Sequence, residues 1–167
     1  MSLDLVAPDD TFGRGRCVGQ LGRLAHERFL DVRKANRPVE ELTHHLAEAA
    51  RLYEQALDMM PATAIAERGT IHNQLGNIYH DAGDIDRALH HYQQDIRYCE
   101  QAGDIYGAGE TRLNVSITLF QASRLADARA YAEAALANFR TFGDRATDRI
   151  QRAERLIDRL HRANHPE

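Results

Sequence analysis

The chain has 167 residues and a formal net charge of −4, enough length for one domain that hides about two-thirds of its unfolded surface without metals or disulfides. A charge that small draws neither a polyphosphate nor a membrane surface to the molecule as a whole, and four prolines with no tryptophan cannot punctuate a β-sandwich. No run of 18 apolar residues exists and the N-terminus lacks the regions of a secretory signal, so a soluble, cytoplasmic chain is expected.

Residues 1–14 are expected to be disordered, and Met1-Ser2-Leu3 is open to reading as an expression remnant, in which case the domain is a piece of a longer protein. From residue 15 onward the apolar spacing is helical. It predicts helices at about 15–35, 38–60, 62–82, 85–101, 105–122, 125–142 and 146–163, then a tail at 164–167, with ends good to about 2–4 residues. The breaks carry turn chemistry. Gly83-Asp84 and Ser123 divide units internally, and Gly103-Asp104 and Gly143-Asp144 separate them; Gly ends a helix in the left-handed conformation while Asp or Ser caps the next. Cys17 and Cys99 fall inside helical patterns with no CxxC pairing, so both are expected as reduced, packed thiols.

The chain echoes itself. At an offset of 40, Ala82, Ala88, Gly103 and Asp104 recur as Ala122, Ala128, Gly143 and Asp144; at 39, Ala88, Tyr92 and Ile96 look back to Ala49, Tyr53 and Leu57. A fixed period means stacked supersecondary units, here about 15–61, 62–102 and 105–142 with a closing helix at 146–163. Within the second unit, Leu75, Gly76 and Tyr79 form a Leu-Gly-x-x-Tyr pattern, Leu21-Gly22 opens the first unit alike, and Ala49, Tyr53, Ala56 and Pro61 mark its second helix. These residues resemble the tetratricopeptide repeat family, in the longer-period form of kinesin light chains and bacterial multidomain signalling proteins. The resemblance implies an all-α fold: a right-handed α-solenoid of three hairpins plus a capping helix. Small Gly76 and Ala88 would let Tyr79 and Tyr92 interlock beside them. The first hairpin departs from the pattern. Leu21 to Ala49 spans 28 positions against 13 from Leu75 to Ala88, so it carries 15 extra residues and should overhang the stack. Asp95 stands where other units have alanine, and an ion pair with Arg112 is the expectation.

In this family, ligands lie along the concave face made by the first helix of each unit. The resemblance transfers that groove to Arg16, Arg23 and His26 in unit one, to Thr70, Asn73, Asn77 and His80 in unit two, and to Glu110, Leu113, Ile117 and Phe120 in unit three. Asn73 and Asn77 sit one helical turn apart, where they either pair with an extended peptide or bond to neighbouring helices. Leu113, Ile117 and Phe120 form an apolar stripe, either an anchor for a partner or a surface covered by the closing helix through Ile150, Ala153, Ile157 and Leu160. Of the basic and Asn positions by which some relatives grip acidic chaperone tails, only Arg23 and Asn77 match, which argues against that ligand.

Catalytic machinery is not visible. No GxGxxG, GxxxxGK[ST] or GxSxG motif occurs, and no cofactor is implied. His44-His45 and His90-His91 are adjacent pairs whose members point about 100° apart on a helix, so neither makes a metal site by itself, and no HExxH is present. Arg145, Arg149, Arg152 and Arg159 share one side of the last helix, but interspersed acids dilute the field and disfavour nucleic acid. The reading is a non-enzymatic module that binds a protein or peptide; self-association into a homodimer is the alternative.

Overall fold

The computed structural model describes residues 10–164. Among these, seven α-helices and one short 3-10 turn account for nearly the whole chain, with no strand. Helix α1 spans Thr11–Lys34, and Asp10 caps it by accepting the Gly13 amide at 2.7 Å. It therefore begins ahead of residue 15. Residues 11–14 are helical rather than disordered because that cap satisfies an otherwise unpaired first-turn donor. Positions 1–9 and 165–167 of the predicted terminal segments lie outside the described residues.

Helix α2 spans Val39–Met59 and follows Asn36, which turns the chain at φ 50°, and Pro38, with Glu40 and Glu41 facing the positive end of the helix dipole. Helix α3, Ile65–Asp81, starts three residues later than predicted, because the chain runs extended at Met60 and turns over Pro61. Helices α4, Ile85–Ala102, and α5, Ile105–Gln121, are capped by Asp84 and Asp104, whose carboxylates accept the amides of Arg87 and Gly107. Gly103 joins them at φ 70°, a conformation most side chains resist. Helix α6 spans Leu125–Arg140, and a 3-10 turn at Gly143–Ala146 leads into α7, Thr147–Asn164.

Sequential helices pack in pairs, α1 on α2, α3 on α4 and α5 on α6, and each pair packs on the next. The core runs unbroken through the stack from Val18 and Phe29 through Leu75 and Tyr92 to Phe139 and Leu160. Close approach inside the hairpins depends on missing side chains. A Cβ on Gly76 would lie 2.5 Å from the Tyr92 ring, and one on Gly22 would lie 3.0 Å from the Tyr53 ring. Ser116 holds the corresponding place in unit three, where its hydroxyl donates to the Ala128 carbonyl at 2.7 Å and is fully buried.

Candidate functional site

The first helices of the units, α1, α3 and α5, line one side of the stack together with α7. A cavity of ≈ 320 Å³ opens between α1 and α3, floored by Gly15, Gly19, Tyr53, Met60 and Ile71 and edged by Arg16, Arg23 and Thr70. A second, ≈ 290 Å³, is lined by His26, Asn77, His80, Tyr92, Asn114, Ile117 and Arg152. A third, ≈ 370 Å³, lies between α3, α5 and α7 around Asn73, Asp95, Glu110, Thr111, Asn114 and Arg152.

Several of the predicted groove residues fasten one unit to the next. His26 Nε2 lies 3.1 Å from Asp81 Oδ2, and Arg33 reaches Oδ1 of the same carboxylate at 2.8 Å. Burial pushes the Asp81 carboxyl up, but bonds from His26 and Arg33 outweigh it and hold it below its ordinary value. Asn73 Nδ2 donates to Asp95 Oδ2 and to Thr111 Oγ1, each at 2.9 Å. Asn77 Oδ1 accepts the Tyr92 hydroxyl at 2.8 Å, and His80 Nδ1 sits 2.8 Å from Thr118 Oγ1 on α5. Thus the two asparagines bond to neighbouring side chains, one of the two uses open to them.

The remaining predicted residues divide. Arg16 and Thr70 are exposed at the first cavity, Arg23 is held by Glu27 and Gln20, and Glu110 takes Arg149 Nη2 at 2.5 Å. Leu113 is only 2 % exposed, which corrects its place in an open groove. Counting forward from Asn73 lands on the position that faces the following unit, and for unit three that neighbour is α7. Phe120 is half-buried with the Arg159 guanidinium 5.2 Å above its ring, whereas Ile117 borders the second cavity.

Asp95 does not pair with Arg112. It is buried, accepting Thr111 Oγ1 at 2.5 Å, Asn73 Nδ2, and the Cys99 thiol at 3.7 Å. Arg112 instead binds Glu100 and Asn138. One residue is about 100° on a helix, so when Thr111 faces Asp95 its successor turns away from it. Burial raises the Asp95 pKa, against the pull of its hydrogen bonds. Burial together with the Asp95 charge also pushes the Cys99 thiol up to about 12, which leaves it without thiolate reactivity near neutral pH.

Two wall residues escaped sequence reasoning. Asn114 is half-buried and Arg152 exposed; both line the second and third cavities, and neither side chain has a hydrogen bond or ion pair among the described residues. The available signal was helical spacing. Glu110, Asn114 and Ile117 follow i, i+4, i+7 along α5, whereas the count of 40 from Asn73 pointed one residue short.

A stacked array of helical hairpins with a polar inner wall defines the class of α-solenoid scaffolds. The tetratricopeptide repeat model matches residues 67–141, which takes in most of the second and third units. Repeats of this family serve in general as protein-interaction modules and are typically non-catalytic. The crystal structure of BtubC (BKLC) from P. vanneervenii is similar in fold, with TM-score 0.53 and 18% identity, over 94% of this chain and 84% of that one. No curated protein matches the sequence. Among the described residues no helix is long and apolar enough to cross a membrane.

Proposed function

We propose that the wall formed by α1, α3, α5 and α7 holds an extended segment of a partner protein. The observation that carries this reading is the pair of uncommitted polar groups, Asn114 and Arg152, on a wall whose other asparagines and histidines already bond within the chain. A primary amide offers donors and an acceptor to a peptide backbone, and a guanidinium offers a fork to a carboxylate. Ile117 and the floor of the first cavity add apolar surface for side chains. The test is Arg152→Glu combined with Ile117→Asp. Partner capture from the native cell should be lost while far-UV circular dichroism and the melting midpoint stay near wild type. Undiminished capture by the folded double variant would move the binding surface elsewhere.

Exposed Leu21, 40 %, and Leu24, 46 %, on α1 favour self-association as the second reading. The equivalent Leu75 is fully covered by its neighbours, so the open end of the stack presents a face that its own repeat logic buries. Light scattering separates the readings. A molar mass that stays monomeric up to about 100 µM removes self-association at the micromolar affinities common for transient pairs.

A further inference from the structure

Away from the inner wall, α2 brings together three groups that nothing above employs. His44, His45 and Glu48 present ligand atoms that all lie within 4.8 Å of one another. Glu48 follows His44 by four residues and His45 by three, so it sits one turn on and beside both rings. Adjacent histidines alone diverge; the carboxylate a turn later supplies the third corner. The rings themselves are in edge contact, with centroids 5.5 Å apart.

A second, independent observation falls on the same cluster. His45 Nδ1 is buried and has no hydrogen-bond partner, the one such side-chain nitrogen or oxygen among the described residues. Elsewhere the chain satisfies its buried polar atoms closely: Asp95 takes three donors, and Ser116 finds a carbonyl. Leaving a buried nitrogen unpaired carries a desolvation penalty, and such atoms in native proteins call for a specific explanation.

We infer that His44, His45 and Glu48 form a binding site for a divalent transition-metal ion of the zinc type, about two turns into α2. Imidazole nitrogen and carboxylate oxygen are the donors that zinc takes at about 2.0–2.2 Å. Exposed His44 and half-buried Glu48 are the ligands expected to change rotamer in closing on an ion. Three protein ligands leave a fourth tetrahedral position for water or for a group from another molecule. The site lies on the first hairpin, about two to three turns from its tip at residues 35–38.

Zinc chloride titrated into the full chain, followed by calorimetry and by competition with a chromophoric chelator, tests the inference. One equivalent should bind with a dissociation constant on the order of 10 µM or tighter, as suits a three-ligand site. Glu48→Gln, which leaves both rings and the helix in place, should weaken binding about tenfold, and His45→Ala at least as much. The control His90→Ala, in the other adjacent pair, should leave it unchanged. Absence of saturable binding below about 1 mM overturns the inference. So does wild-type affinity in Glu48→Gln, or binding that follows His90 instead.

Discussion

The first and second hairpins share one internal device and differ in how they join their neighbours. In both, a glycine on the first helix lies against a tyrosine on the second: Gly22 against Tyr53, and Gly76 against Tyr92. The second is tighter. At the joints the contrast is chemical. The first hairpin meets α3 through long polar side chains: His26 and Arg33 on Asp81, Glu54 on the Tyr79 hydroxyl, and Arg68 reaching back to the carbonyls of Leu57 and Met60. The second meets α5 through a buried carboxylate that gathers Asn73 and Thr111. One repeat geometry therefore tolerates a joint of long, partly exposed side chains and one centred on a buried carboxylate, and burial makes that carboxylate depend on its donors.

This contrast can be broken experimentally. The largest expected effect is Gly76→Leu, which overpacks the Tyr92 contact by about 3 kcal/mol, whereas Gly22→Ala should fall within about 1 kcal/mol of wild type because the ring there needs to yield only slightly and alanine favours the helix. Chemical denaturation measures both, and equal costs would refute the difference in closeness. Next, Asp95→Ala should cost about 1–3 kcal/mol by stranding the Asn73 and Thr111 donors. Asp95→Asn keeps an acceptor and removes a charge disfavoured by burial, so it should cost less than about 1 kcal/mol at neutral pH.

A smaller effect is expected from acid. His72 on α3 and His91 on α4 face each other with their Nδ1 atoms 3.0 Å apart, stacked against Tyr98 and Tyr79. Burial first, then His91, Arg68 and His90, hold the His72 pKa at about 4, below its ordinary 6.5; burial and His90 lower His91 as well, against the pull of Glu54. The unfolded chain thus binds more protons in this interval, and stability present above pH 6.5 is lost as pH falls toward about 4. His72→Gln should flatten that slope of melting midpoint against pH. The smallest effect belongs to Asp81→Asn, at about 0.5–1 kcal/mol and shrinking in high salt, as suits a pair whose Arg33 end is half exposed.

How legible the molecule was in its sequence follows the same division. Gly76, Ala88 and Tyr92 announce the hairpin because their sizes are dictated by how closely helix axes approach, a constraint written at fixed spacing. Gly103-Asp104 announces a joint because backbone conformation and capping need those residue types. The wall was less legible. Asn73 and Leu113 occupy equivalent places, yet one bonds a carboxylate and the other is a buried apolar side chain, since what a position meets depends on the next unit's residues. Arg152 could not be assigned to the wall from its own helix. Its neighbours Asn77, Ile117 and Asn114 lie 35 to 75 residues earlier in the chain, and only stacking brings them together.

Asp81 ends α3 and receives two side chains from α1 that are seven residues, or two turns, apart. One carboxylate thus clasps α1 across two of its turns. Asp81→Asn loosens that clasp, and fluorescence energy transfer between dyes at Ala35 and Gln101 is expected to show a broader distance distribution for the tip of the first hairpin.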